Sequence, residues 1–155
     1  MVIRSAQESD LDALTMLNQQ IGQIHFDQMP EAFDAPSAAD RQFLVNVLKN
    51  NTHRFFVAQR GQQVIGFITA TITQNETIPF LVKFPICRIG SIVVDEHHRS
   101  RGVGRALMNA VHQWAREQGA KQVRLEVMAF NHKAHQFYTT LGFSQHSFIM
   151  AKPLD

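Results

Sequence analysis

The stretch best equipped for chemistry is Arg99-Ser100-Arg101-Gly102-Val103-Gly104-Arg105. A continuously apolar run, Ile92-Val93-Val94, precedes it through the polar segment Asp95-Glu96-His97-His98, and an amphipathic repeat follows. A helix N-terminus offers unpaired N–H groups and the positive end of the helix dipole. Glycines let a ligand approach that backbone closely. Gly102 and Gly104 at such a junction, flanked by Arg99 and Arg101, make an anion site suited to phosphate. The same glycines would also serve a tight strand-to-helix turn that binds nothing. Two common phosphate loops do not fit. The chain has no G-x-x-x-x-G-K-[ST], and Leu107 stands where a dinucleotide fingerprint needs a third small residue.

A second feature is Tyr138, the one tyrosine in a chain with 12 phenylalanines. A hydroxyl kept where Phe would pack suggests a site-specific role, although a core tyrosine at helical spacing gives the same pattern. Eight histidines invite a metal reading, but neither His97-His98 nor His132/His135 belongs to a zinc signature with further ligands. No metal site is expected. Cys87 lies on an apolar run with no paired base in view, so it reads as a small core residue rather than a nucleophile.

The elements that position these residues follow from periodicity. Ser9 is a candidate N-cap for a helix over about 10–24, on which Leu11, Leu14, Leu17 and Ile21 share a face. Met29–Pro36 is a loop. Ser37 caps a second helix bearing Phe43, Leu44, Val47 and Leu48. Phe55–Ala58 and Val64–Thr73 flank a turn at Arg60–Gln63 and read as a β-hairpin. A loop around 74–84 leads to a strand over Ile86–Val94, which is buried on both faces at its end. A helix follows over about 102–118. Val123, Leu125 and Val127 alternate as in a half-buried strand. Ala134, Phe137, Tyr138 and Leu141 mark a last helix, and Phe143–Lys152 is a final strand. The order α-α-β-β-β-α-β-α-β implies an α/β sandwich around a mixed sheet, in a single domain over 1–155.

The pattern as a whole carries a resemblance. Arg99-x-x-Gly102-x-Gly104, between an Ile-Val-Val strand end and an amphipathic helix, resembles the acyl-CoA pyrophosphate motif of the GNAT superfamily of N-acetyltransferases. Leu125-Glu126-Val127 followed by Asn131, Ala134, Tyr138, Gly142 and Phe143 is similar to that family's downstream pattern. Ile3-Arg4-Ser5-Ala6 with Asp10 resembles its opening. The resemblance implies a mostly antiparallel mixed sheet flanked by helices, with a splayed strand pair at the acyl-CoA site. It implies that the amides of Gly102, Val103, Gly104, Arg105 and Ala106 bind the pyrophosphate, beside Arg99 and Arg101. Ile92 and Val94 would pair with the pantetheine arm, and Asn131 would contact it. Acetyl-CoA would be the cosubstrate.

Three further roles follow from the resemblance. The Val94 N–H would donate to the thioester carbonyl. Tyr138 would protonate the departing thiolate, its ordinary pKa of about 10 lying near the thiol's of about 8.5. The amine, only about 0.1% neutral at pH 7, needs a base. The family's usual strand Glu falls on Ser91 here, which cannot act alone. Glu126 is the candidate, because Leu-Glu-Val with Tyr138 resembles the ribosomal-protein alanine N-acetyltransferases. A solvated strand carboxylate is the competing reading. His25–Asp34 lies where the family builds its acceptor site. Asp27, Glu31 and Asp34 there would attract a cationic amine, or would simply be solvated loop acids.

Composition agrees with an ordinary globular chain: 155 residues, 45% hydrophobic, 18% charged, formal charge +2. That charge is too small to argue for nucleic acid. A lone cysteine excludes a disulfide framework. No signal-type apolar segment or membrane span is evident, so a soluble cytoplasmic protein is expected, monomeric or homodimeric. The expected activity is direct acetyl transfer to a primary amine of a small molecule. The alternatives are a protein or peptide N-terminus as acceptor, or a non-catalytic acyl-CoA-binding module.

Overall fold

The computed structural model describes residues Met1–Asp155. Five strands form one sheet in the spatial order β1 (Val2–Ser5), β2 (His53–Arg60), β3 (Gln63–Thr73), β4 (Ile86–Val94) and β5 (Gln122–Arg124). Four helices flank it: α1 (Leu11–Gln28), α2 (Ala39–Lys49), α3 (Val103–Glu117) and α4 (His132–Thr140). Neighbouring strands run antiparallel except β4 and β5, which are parallel. This is the mixed, mostly antiparallel α/β architecture that the sequence implies.

Strand alternation sends successive side chains to opposite faces. Phe55 and Val57 of β2, Phe67 of β3 and Val93 of β4 face α1 and α2, where they meet Leu11, Leu14, Leu17, Leu44 and Val47. Ala58, Ile68, Ala70 and Cys87 face α3, which buries Val103, Leu107, Met108, Val111 and Ala115. Burying a Val, Leu, Ile, Phe or Met side chain stabilises by about 1.5–3 kcal/mol, so these two layers hold the sheet between them. A buried carboxylate fixes the start. Asp10 accepts from Arg4 Nη1 at 2.8 Å, Arg4 Nη2 at 2.9 Å and the Gln7 N–H at 2.8 Å. These bonds tie β1 to the head of α1 and hold the carboxyl below its ordinary range.

The structure corrects four boundaries. Val2–Ser5 is a strand, made so by pairing with β2 rather than by its own composition. A single 3-10 turn over Glu8–Asp10 precedes α1, and Asp10 with Gln7, not Ser9, closes the capping box. Ser37 lies one residue before Ala38, the N-cap of α2, and accepts the Ala39 N–H on its Oγ at 3.3 Å. The strand expected over Val123–Val127 ends at Arg124, where β5 loses β4 as a neighbour. The final strand expected over Phe143–Lys152 does not form, because no strand lies beside it in the chain.

Candidate functional site

β4 is the strand from which the site is built. Its register with β3 pairs Thr69 with Ser91 and Ala70 with Ile89, leaving Gly90 as a bulge. Thr69 Oγ1 fills the bulge and accepts the Ser91 N–H at 3.0 Å. A cavity of about 140 Å³ opens on the α2 side of this bulge, between Leu44, Val47, Phe67, Thr69, Arg88 and Ser91. On its other edge β4 pairs with β5 only at Ile86, Cys87 and Arg88. From Ile89 to Val94 that edge has no neighbouring strand, which is the expected splay. The Asp95 N–H donates to Ile65 O at 2.9 Å, toward β3. Strand alternation therefore aims the backbone groups of Val94, and of Ile92 before it, into the open side. Arg99 reaches into the same space and donates from Nε to Val94 O at 3.1 Å.

The turn beyond β4 is clamped before it becomes a cradle. Asp95 is buried. It accepts from Gln20 Nε2 at 2.9 Å, and His98 Nδ1 lies 2.7 Å from its other oxygen. The Gln20 amide in turn accepts the Glu96 N–H at 3.1 Å. The Gln20 and His98 hydrogen bonds hold the Asp95 carboxyl below its usual range. Thus α1 fixes where the loop begins. The chain then passes through two left-handed residues, Ser100 at φ 61° and Gly102 at φ 81°, into α3. Such reversals turn successive N–H groups into an anion-binding concavity. The Ala106 N–H is already taken by Gly102 O at 3.0 Å and closes the first helical turn. Gly102, Val103, Gly104 and Arg105 supply the free donors at this end. Arg99, Arg101 and Arg105 stand exposed around them.

Gly104 has a second reason to lack a side chain. A Cβ there would lie 3.1 Å from Phe137 Cζ, so the glycine lets α4 pack against the head of α3. The next residue, Tyr138, packs its ring beside Phe137 (centroids 5.3 Å) and Phe143 (5.9 Å). Burial pushes the Tyr138 phenol up to about 12, by disfavouring the charged phenolate. The shift from an ordinary value near 10 predicts an alkaline limb. Stability from this group is fully present below pH 10 and is lost as pH rises toward 12, by roughly 2–3 kcal/mol. Urea midpoints at pH 9 and pH 11.5 test it, and Tyr138→Phe should lose less between them. Cys87, buried and pushed up to about 11, loses its share in both proteins alike.

The remaining sequence candidates are placed as follows. Asn131 is the N-cap of α4, its Oδ1 accepting the Ala134 N–H at 3.2 Å. Glu126 follows β5 outside any strand, exposed and without an ion pair. No hydrogen bond joins Glu126, Tyr138 and Val94 to one another. No three His, Cys, Asp or Glu side chains gather as a metal-binding group. No helix is long and apolar enough to cross a membrane. The sequence places His25 only at the start of the candidate acceptor segment His25–Asp34 and gives it no role of its own. In the structure it lies in the last turn of α1 and donates from Nδ1 to Ile21 O at 2.8 Å, leaving Nε2 as the free ring nitrogen. Its ring meets the edges of Phe33 (4.7 Å) and Phe130 (5.5 Å). Helix α1 thereby touches the segment after β5 across the splay. No local pattern announces a contact between positions so far apart in sequence.

An open β4 edge running into a helix head with free N–H groups is a site for an extended ligand that ends in phosphate. Residues 18–143 match the acetyltransferase (GNAT) family. The chain belongs to the GNAT family. An N-alpha-acetyltransferase of Sulfurisphaera tokodaii is 31% identical over 148 residues, covering 92% of this chain and 80% of that one. An N-acetyltransferase of Methanocaldococcus jannaschii is 31% identical over 99 residues, covering 64% of this chain. This GNAT chain spans only 42% of the length of the latter. The solved structure of AAC(6')-Iy, bound to a bisubstrate analogue of CoA and monomethyl-acetylneamine, superposes with a TM-score of 0.78 at 21% identity. That likeness covers 99% of this chain and 97% of the other, and it shows the shared GNAT fold.

Proposed function

We propose that this GNAT chain transfers the acetyl group of acetyl-CoA directly to a primary amine of a small molecule. The observation that carries the reading is the junction of the unpaired β4 edge with the free N–H groups of Gly102, Val103, Gly104 and Arg105. The residues present fit the ligand. The α3 head and Arg99, Arg101 and Arg105 take the pyrophosphate. The outward backbone groups of Ile92 and Val94 take the pantetheine amides, with Arg99 moving off Val94 O and Asn131 offering its amide nitrogen beside the arm.

The neutral amine attacks the thioester carbonyl carbon. A C–N bond forms and the C–S bond breaks, with the electron pair leaving on sulfur. The Val94 N–H donates to the oxygen on which charge develops. Tyr138 gives its proton to the thiolate. Its raised pKa keeps the phenol neutral and protonated throughout the neutral range. Exposed Glu126 takes the amine proton, directly or through water. The contact between His25 and Phe130 supports a small acceptor, because it bridges the splay on the α1 side where a peptide would need an open groove. A second reading, a protein N-terminus as acceptor, is favoured by the likeness to the Sulfurisphaera N-alpha-acetyltransferase.

The test is acetyl-CoA-dependent product formation, read by mass spectrometry over polyamines, amino acids, aminoglycosides and peptide N-termini. One acetyl added to a small amine is the expected result. Acetylation of peptides alone would select the second reading. Acetyl-CoA binding without any product would demote the chain to a binding module.

A further inference from the structure

We propose that the amine acceptor carries a carboxylate at its far end, and that Arg88, with Arg124 beside it, holds that carboxylate at the cavity on the α2 side of β4. The inference rests on the acetyl-transfer reading and adds the class of substrate. Cys87 and Val123 pack toward α3, so strand alternation turns their successors, Arg88 and Arg124, to the other face of the sheet. The register sets His53, Thr71, Arg88 and Arg124 in one row across β2, β3, β4 and β5. Two arginines side by side in neighbouring strands repel each other. No carboxylate relieves them, because neither forms an ion pair. Arg88 donates only from Nε, to Thr73 Oγ1 at 3.0 Å, and Arg124 only from Nε, to Gln122 Oε1 at 2.6 Å. The terminal nitrogens of both guanidiniums are left for a planar anion, and a carboxylate matches such a fork with two parallel hydrogen bonds.

The cavity that Arg88 lines supplies the rest of the recognition. Its α2 wall is Phe43, Leu44 and Val47, and no Asp or Glu lines it. An apolar wall with a cation at one end suits an apolar body that ends in an anion. A dry cavity of about 150 Å³ takes a benzene-sized guest, so this one, of about 140 Å³, holds several methylenes. Gly90 and Ser91 belong both to the cavity wall and to the stretch of β4 that has no β5 neighbour. The acceptor can therefore lie beside the thioester while its far end reaches Arg88. A strand advances about 3.3 Å per residue, so Arg88 and Val94 stand roughly 20 Å apart along β4. An α-amino acid, with amine and carboxylate on one carbon, is too short to serve both. An ω-amino acid, with several methylenes between its ends, fits. The same arginine pair turns away polyamines and aminoglycosides, whose far ends are cations.

The test uses the intact chain saturated with CoA and three amines of one length: 8-aminooctanoate, octylamine and 1,8-diaminooctane. Titration calorimetry should show 8-aminooctanoate binding about tenfold more tightly than octylamine, with the diamine weakest. Arg88→Gln should remove most of that difference. Arg88 is exposed, so an unchanged Tm should accompany the loss. The same amines incubated with acetyl-CoA and read by mass spectrometry separate the two claims. A binding preference without acetylated product would keep the carboxylate site and sink acetyl transfer. Equal acetylation of 8-aminooctanoate and octylamine would keep acetyl transfer and overturn the carboxylate site. A preference that survives Arg88→Gln combined with Arg124→Gln would overturn it as well.

Discussion

Tyr138→Phe is expected to lower kcat about a hundredfold, the lower end of what a positioned general acid contributes, and to leave acetyl-CoA affinity nearly unchanged. The argument is geometric before it is chemical. The ring packs against Phe137 and Phe143, and Phe at this position keeps those contacts. Phe137 in turn rests on Gly104, so the α3 head keeps its shape when only the hydroxyl is removed. What disappears is only the phenolic proton that the proposed mechanism hands to the thiolate. Turnover within about threefold of the unaltered chain, with acetyl-CoA bound normally, would remove Tyr138 from the chemistry. The effect should also persist across pH 6–9, because the unaltered phenol does not titrate there.

The parts of this site that were legible in sequence are those whose cause is local. The Ile92-Val93-Val94 run, the two glycines and the amphipathic repeat fix β4, the turn and α3 within a residue or two. Backbone dihedrals and helical periodicity need only near neighbours. The parts that were not legible depend on what lies alongside. Val2–Ser5 is too short to announce itself, and it becomes a strand because Phe56 to Gln59 pair with it. Phe143–Lys152 has the composition of a strand, yet composition cannot supply the neighbour that would make it one. β5 stops at Arg124 because the splay takes β4 away, so a reading that extended the alternation to Val127 carried local pattern past its support. Asn131 is the instructive intermediate case. An Asn ahead of a helical repeat is itself an N-cap signal, and Asn131 takes that place by accepting the Ala134 N–H.

The same distinction separates the two glycines of the cradle and gives the second large prediction. Gly104 is small because Phe137 packs on it, so enlarging it disturbs folding. Gly102 is different. Nothing lies within 4 Å of where its Cβ would be, and only its φ of +81° excludes a side chain. A left-handed non-glycine residue costs about 1–2 kcal/mol, and a β-branched one more. The surrounding residues Ser100 and Arg101 are exposed, so the free loop relieves that strain by rotating out of its present form. Folding is then little affected, and acetyl-CoA must restore the conformation when it binds. Gly102→Val is therefore expected to weaken acetyl-CoA binding about tenfold or more, with Tm nearly unchanged, since each 1.4 kcal/mol is a factor of ten. Gly102→Asn, which tolerates the left-handed region, should recover most of the affinity. Titration calorimetry on the three proteins decides the matter. An undiminished affinity in Gly102→Val would mean that the α3 head is a turn and not a cradle, and the phosphate site would have to be sought elsewhere.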